Sequence, residues 1–201
     1  MTIEDLSTYT EKDPNSHITV VSGKVTGAGI NRNERAYLYK DFGADYFNGF
    51  NINFEFKSTE LSTYDIGGLV CLTNSVGDRS QWTGDFFWCT LYCTSGSYRL
   101  YLDPDYYIIS VNTLYYCTLS RVADSDTISL KIYSDSARTN LLDTLTTTIS
   151  ASAKFRYMYA ITSQYTYHNY GCSYYVENVE ILTSGTSIVP LLAGQRFRRI
   201  S

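Results

Sequence analysis

The sequence has no long apolar run, no excess of positive charge and no familiar catalytic motif. No stretch of it approaches the roughly 18 consecutive apolar residues of a membrane span, so we expect no membrane insertion. Charged residues make up 18% of the 201 residues, and the net charge of −4 gives no footprint for nucleic acid. A nucleophile elbow, a phosphate-binding loop and a dinucleotide-binding fingerprint are all absent.

Signals of secretion and of a disulfide or metal framework are also missing. The first twenty residues begin acidic and contain no apolar segment of the signal-peptide kind, so we expect no signal peptide. The five cysteines are an odd number and most stand in apolar runs, which predicts buried thiols. Cys89 with Cys93 and His168 with Cys172 could supply four zinc ligands, but residues four apart in a strand merely share a face. We therefore expect no metal there.

Strand-forming residues are abundant. The chain contains 20 Tyr and 23 Thr but only 17 Leu, a balance that favours sheets over helices. Residues 50–57 alternate phenylalanine or isoleucine with asparagine, glutamate or lysine, which predicts a strand with one buried and one wet face. Residues 157–161 are apolar at successive positions and predict a strand in the middle of a sheet.

Further strands are predicted between turn-rich segments, and together they form one domain over residues 1–182. The best site for a short helical turn is Ser136–Leu142. The remaining strand predictions are approximately 18–26, 36–40, 67–73, 86–93, 98–102, 106–111, 114–121, 128–132, 142–149 and 173–182. This pattern predicts an all-β fold in which two antiparallel sheets pack as a sandwich, with at most one or two helical turns.

Residues 183–201 differ in character and read as a hinge followed by an apolar and basic tail. Exposed apolar residues beyond a hinge are unfavourable in water, so we expect this segment to be covered. It could fold back onto its own sheet edge, or add to the edge of a neighbouring copy and so give a homo-oligomer. The candidate assembly residues are Ile188, Val189, Leu191, Leu192, Arg196, Arg198 and Arg199.

Several segments, in order, resemble the concanavalin A-like lectin and glucanase jelly rolls, in the LamG-like form common in phage and environmental sequences. They are Asp5–Ile18, Tyr39–Phe47, Tyr115–Arg121, Ile128–Asp135 with Arg138–Leu145, Phe155–Tyr159 and Val176–Leu182. The resemblance implies a jelly-roll sandwich and a lectin, an adhesion module, a lyase or a glucanase. Members often hold a structural calcium ion near a sheet edge, which makes Asp41 and Asp45 weak calcium candidates; no other cofactor is implied.

Catalysis is the less favoured of these activities. A retaining glucanase needs two carboxylates on one face of a sheet, but Glu55 and Glu60 are five positions apart and Glu177 and Glu180 are three apart. In regular strands each pair therefore points to opposite faces. A lyase would need a His and Tyr pair with basic and amide side chains, and His168 does have Gln164 and Arg156 nearby in sequence. In a chain with 20 tyrosines and two histidines, such neighbours are expected by chance.

Binding of a glycan is the favoured function, because sugars are recognised by aromatic rings together with amide, carboxylate and guanidinium groups. Two loops carry such groups. The first supplies Asp78, Arg79, Trp82 and Asp85, and the second supplies Tyr165, Tyr167, His168, Asn169 and Tyr170. Trp88, between apolar neighbours, is expected in the core.

The sequence thus predicts a non-catalytic glycan-binding or adhesion module, in a virion or another surface assembly and otherwise cytoplasmic. The alternative is a purely structural subunit that assembles through its tail.

Overall fold

The computed structural model describes residues 3–31, 34–60, 66–94, 96–164 and 171–184. These described residues form fourteen strands: β1 Thr10–Lys12, β2 Ile18–Val21, β3 Lys24–Asn31, β4 Tyr37–Asp41, β5 Phe50–Glu60, β6 Ile66–Thr73, β7 Phe86–Thr94, β8 Ser97–Leu102, β9 Asp105–Ile108, β10 Leu114–Arg121, β11 Thr127–Tyr133, β12 Leu141–Thr148, β13 Tyr157–Thr162 and β14 Gly171–Ser184. Within the described ranges the only helical segments are two 3-10 turns, Leu6–Thr8 and Arg79–Gln81.

The strands form two antiparallel sheets of seven strands each. Sheet I has the order β1-β4-β13-β6-β7-β8-β9, and sheet II has the order β12-β11-β10-β5-β14-β3-β2. The two sheets form a sandwich, which confirms the predicted fold class.

Alternation along the strands places the core between the sheets. In sheet II, β5 pairs with β10 so that Phe54 lies opposite Cys117 and Ile52 opposite Leu119, all of them buried. The hydroxyl of Tyr174, on β14, donates to the carbonyl oxygen of Gly68 in β6 at 2.9 Å. This bond satisfies a polar group inside the core and links one sheet to the other.

The strand predicted for the middle of a sheet is there. β13 lies between β4 and β6 in sheet I, and its residues from Met158 onward are buried. The prediction of buried thiols is also confirmed, because all five cysteine side chains are buried. Burial raises the pKa of the Cys71 and Cys89 thiols, so both stay protonated at neutral pH.

Three local predictions were wrong. The strand predicted at approximately 18–26 is a hairpin, because Ser22 and Gly23 have positive φ values and form a turn between β2 and β3. The predicted helical turn at Ser136–Leu142 is instead a hydrogen-bonded turn between β11 and β12, in which the Arg138 nitrogen donates to the Asp135 carbonyl oxygen at 3.0 Å. The Asp135 carboxylate accepts from the backbone nitrogens of Thr139 and Asn140, so these groups do not enter a helix. Glu177 and Glu180 do not point to opposite faces, since Asn178 has a positive φ of 53° and a β-bulge lies between them. Both are only partly buried, and Asn53 donates to Glu180 at 3.2 Å.

The boundary between the domain at residues 1–182 and the tail at residues 183–201 stays a prediction. β14 runs to Ser184, and residues 185–201, including all the candidate assembly residues, lie outside the described residues. Among the described residues, no helix has the length and hydropathy needed to cross a membrane.

Candidate functional site

The outer face of sheet I is unusually aromatic. Along β7, Phe87, Cys89 and Leu91 point into the core, so the alternate residues Trp88 and Tyr92 stand on the outer face, where both are only partly buried. The expectation that Trp88 belongs to the core was therefore wrong. Its neighbours Phe87 and Cys89 are the core residues.

A glycine allows Trp88 to lie close against the sheet. A Cβ atom added at Gly68, on the neighbouring strand β6, would stand 2.8 Å from the Trp88 indole nitrogen. It would also stand 2.5 Å from the Thr162 methyl carbon. Any larger residue would therefore displace the indole ring from this face.

The loop at residues 74–85 folds over part of this aromatic face. Trp82 is 6% exposed, and its indole nitrogen donates to the Gly77 carbonyl oxygen at 3.0 Å. The Trp82 ring centroid lies 5.0 Å from that of Tyr159. The Tyr159 hydroxyl accepts from the Gly77 nitrogen at 3.0 Å and donates to the Ser75 carbonyl oxygen at 3.1 Å. Trp82, a predicted sugar-binding ring, thus anchors the loop.

The two predicted carboxylates of this loop have different surroundings. Asp78 is buried and caps the Arg79–Gln81 turn, where it accepts from the Ser80 nitrogen at 2.9 Å. Its second carboxylate oxygen lies 3.6 Å from the Arg35 guanidinium. Asp85 is exposed and does not line the cleft described below. Of the four residues predicted as sugar-binding in this loop, Asp78, Arg79, Trp82 and Asp85, only Arg79 lines an open cavity.

The Arg79 guanidinium stacks on aromatic rings. Its central carbon lies 3.9 Å from the ring centroid of Phe86, 4.7 Å from that of Trp88 and 6.0 Å from that of Trp82. Burial lowers the pKa of Arg79, although an arginine so placed remains protonated at neutral pH. Among the described residues, no carboxylate lies within ion-pair distance of it.

A cleft of about 430 Å³ opens beside Arg79 on this face. Its aromatic wall includes Trp88, Tyr92 and Tyr101, and the ring centroids of the two tyrosines are 6.3 Å apart. The end of β12, an edge strand of sheet II, closes one side. The complete lining is Arg79, Phe86, Phe87, Trp88, Thr90, Tyr92, Tyr101, Leu102, Asp103, Thr147, Thr148 and Ile149.

Hydrogen bonds fix the polar end of the cleft. The Thr147 hydroxyl donates to the Asp103 carbonyl oxygen at 2.6 Å, which ties β12 to the turn between β8 and β9. The Tyr101 hydroxyl donates to the Asp103 carboxylate at 3.0 Å. Burial and this hydrogen bond raise the pKa of Tyr101, which keeps its hydroxyl protonated. The exposed carboxylate of Asp103 can still accept from a ligand hydroxyl.

This arrangement suits a molecule with both apolar C–H faces and hydroxyl groups. The rings offer stacking surfaces, and the threonine, aspartate and arginine side chains offer donors and acceptors around them. Asp103 is the sole carboxylate among the described residues of the lining. Hydrolysis of a glycoside by two carboxylates would need a second one.

The calcium candidates do not come together as a site. The Asp41 carboxylate is held by the Arg156 guanidinium through two hydrogen bonds, at 2.8 and 2.6 Å. Asp45 is exposed, with Lys154 3.9 Å away. Among the described residues, no group of three or more His, Cys, Asp or Glu side chains could hold a metal ion. Asp41 is therefore better described as a partner of Arg156 than as a calcium ligand.

The second predicted sugar-binding loop, which carries Tyr165, Tyr167, His168, Asn169 and Tyr170, lies outside the described residues. Of the described cleft lining, only Arg79 was among the predicted site residues; those missed include Trp88, Tyr92, Tyr101 and Asp103. Tyr92 was recoverable, since it alternates with core residues Cys89, Leu91 and Cys93 along β7. The contact between Asp103 and the end of β12 joins residues that are distant in sequence, so no local sequence pattern predicts it.

Comparisons with known proteins show which fold this architecture has. No protein-family model and no curated protein matches the sequence. Among solved structures, the legume lectin-like domain of Entamoeba histolytica superposes with a TM-score of 0.57 at 14% identity. That alignment covers 90% of this chain and 92% of the other. The protein has the concanavalin A-like lectin fold.

Other proteins with the concanavalin A-like fold differ in activity. Winged bean acidic lectin, in complex with methyl-α-D-galactose, superposes with a TM-score of 0.52 at 11% identity, covering 89% of this chain and 96% of the lectin. An alginate lyase of polysaccharide lyase family 7 gives 0.51 at 13% identity, covering 87% and 85%. The predicted jelly-roll resemblance is thus confirmed as a resemblance of fold. Since lectins and enzymes share it, function has to be argued from the cleft.

Proposed function

We propose that the protein binds a carbohydrate in the cleft on the outer face of sheet I, without catalysing its breakdown. The observation that carries this proposal is the aromatic wall of Trp88, Tyr92 and Tyr101 in a cleft of about 430 Å³ that also presents hydroxyl and carboxylate groups. Sugars present the complementary chemistry, with C–H faces that stack on rings and hydroxyls that exchange hydrogen bonds. Lectins of the same fold support the proposal.

A glycan array probed with the intact protein tests binding, followed by calorimetry on the best ligand. Tyr92→Ala and Tyr101→Ala should each weaken binding about tenfold or more, because each removes a stacking ring from the wall. Tyr133→Ala is the matched control, since this partly buried tyrosine lies on β11 in sheet II, away from the cleft. Absence of binding across the array, or equal loss in the control, would refute the proposal.

Catalysis can be tested on the same ligands. The Asp103 carboxylate stands without a second carboxylate in the described lining, which argues against glycoside hydrolysis. Incubation of each bound oligosaccharide with the protein, followed by mass spectrometry, should return it intact. A new reducing end or an unsaturated product would instead identify a glycosidase or a lyase.

The finer proposal concerns the setting of this module. Its support is the sequence of the tail, an apolar segment followed by three arginines within the last six residues. Such a tail could connect copies in a virion or another surface assembly. Deletion of residues 188–201 should then convert the oligomer to the monomer, as judged by its molar mass in light scattering, and leave glycan binding intact. An unchanged mass would exclude the tail as connector.

A further inference from the structure

Arg79 is a partly buried cation that the described protein does not neutralise. Two other basic side chains on or beside sheet I have acidic partners: Arg156 lies 2.6 Å from Asp41, and Lys40 lies 2.7 Å from Glu4. No carboxylate of the described chain is within 4.0 Å of Arg79. A charge in such surroundings attracts an anion, and the pair is stabilising where the anion also forms well-aligned hydrogen bonds with the guanidinium.

The stacking rings hold this guanidinium in place and leave part of it open. Phe86 and Trp88 lie against it at 3.9 and 4.7 Å from its central carbon, and rings contribute no full negative charge. Its Nε is buried without an acceptor in the described structure. Its two Nη groups have no protein acceptor there and are not sealed from solvent, so they remain available to a ligand. Paired N–H groups suit the two oxygens of a carboxylate or a sulfate.

We propose that the cleft selects sugars that carry an anionic group, with the Arg79 guanidinium as the group that recognises the anion. This inference rests on the proposed function and adds the class of ligand to it. The sugar ring would stack on the aromatic wall, and its anionic group would lie beside loop 74–85. Asp103 belongs to another element, the turn after β8, and would accept from sugar hydroxyls.

Matched pairs of oligosaccharides test the selectivity. Calorimetry at low salt would compare an oligogalacturonate with its methyl ester, and a sulfated galactan oligosaccharide with its desulfated form. We expect the anionic member of at least one pair to bind about tenfold more tightly or better, because a charge-assisted pair replaces a neutral hydrogen bond. The pair with the larger ratio distinguishes a carboxylate ligand from a sulfate ligand. Higher salt should reduce the ratio.

Variants assign the effect to one side chain. In Arg79→Gln, the ratio of the affinity for the anionic sugar to the affinity for its neutral form should fall close to one, while the neutral sugar still binds. Arg79→Lys should retain part of the preference for the anionic sugar. Arg99→Gln is the control, because Arg99 lies on the same sheet but stacks on Tyr106 at 4.1 Å, outside the cleft lining. Thermal unfolding of each variant verifies that loop 74–85 is still folded.

The outcomes separate the two proposals. Equal binding of anionic and neutral sugars by the wild-type protein would overturn the selectivity and leave carbohydrate binding standing. A preference that survives in Arg79→Gln would overturn the role of Arg79. Absence of binding to all four oligosaccharides and to the array would refute carbohydrate binding itself, and the selectivity with it.

Discussion

The Trp82 indole nitrogen donates a hydrogen bond to the Gly77 carbonyl oxygen at 3.0 Å, and this contact joins the two sides of the loop at residues 74–85. The ring is 6% exposed and packs on Tyr159, whose hydroxyl binds the same loop at Gly77 and Ser75. The loop that positions Arg79 is therefore organised around an aromatic anchor. The proposed contact of Arg79 with a ligand and the local stability of the loop therefore depend on the same anchor.

Truncation of this anchor should destabilise the fold. We expect Trp82→Ala to lower the free energy of unfolding by about 3–5 kcal/mol, because it removes a buried ring and leaves a cavity. Trp82→Phe keeps an aromatic ring but leaves the Gly77 carbonyl oxygen without its hydrogen-bond donor, and should lower the free energy of unfolding by about 1–3 kcal/mol. Urea unfolding measures both. If Trp82→Ala unfolds at the wild-type midpoint, Trp82 does not anchor the loop.

Trp82 also shows why the fold was easier to predict than the site. Period-two patterns such as that of residues 50–57 predict strands because backbone geometry alone fixes the alternation. An indole in a polar loop looks the same in sequence whether it faces a ligand or folds under the loop. The choice depends on Tyr159, which is 77 positions further along the chain and supplies the packing surface.

The bulge at Asn178 makes the same point for carboxylates. The spacing of Glu177 and Glu180 predicts opposite faces, yet one extra residue at a positive φ of 53° brings both to the wet face of β14. Asparagine tolerates this conformation better than most residues, but single asparagines occur in many regular positions. Asn178 is therefore only a weak sequence signal for a bulge, and the register of β14 is needed to show that Glu177 and Glu180 share a face.

Alkaline pH should destabilise the protein through its buried tyrosines and thiols. Burial raises the pKa of Tyr174, whose hydroxyl is bonded within the core, and of Cys71, Cys89 and Cys117. In the unfolded chain the pKa is about 8.5 for a cysteine thiol and about 10 for a tyrosine hydroxyl. A raised pKa in the folded state gives a stabilisation that is complete below the unfolded pKa and is lost as pH rises above it.

The free energy of unfolding should therefore fall above about pH 8.5 and more steeply above about pH 10. Denaturant titrations at a series of pH values measure this slope. Tyr174→Phe is the diagnostic variant: it should be less stable at pH 7, because Gly68 loses its donor, but its stability should fall less steeply above about pH 10. An unchanged slope in that variant would show that Tyr174 does not titrate with unfolding.

Calcium should not stabilise the protein through Asp41. The Arg156 guanidinium, by its two hydrogen bonds to the carboxylate, holds the pKa of Asp41 below its ordinary value and occupies both of its oxygens. The thermal midpoint should be the same in excess calcium and in a chelator, both for the wild-type protein and for Asp41→Asn. A rise in the wild-type midpoint with calcium that Asp41→Asn abolishes would restore Asp41 as a ligand.

Arg121 should be one of the most sensitive positions outside the cleft. This residue is 4% exposed, and its guanidinium donates to five backbone carbonyl oxygens. These belong to Asn48, Ser125, Ser150, Ala151 and Ala153. One planar side chain thus ties together three loops at one end of the sandwich.

Lysine cannot reproduce this set, because its single ammonium has three donors on a flexible stem. We expect Arg121→Lys to lower the free energy of unfolding by about 3 kcal/mol or more, since buried carbonyl groups lose charge-assisted donors. Lys131→Ala, at an exposed cation on β11, should change it by less than about 0.5 kcal/mol. Urea unfolding compares the two. Similar values for both variants would mean that the five carbonyl groups find water in place of the guanidinium, and that the loops hold together without it.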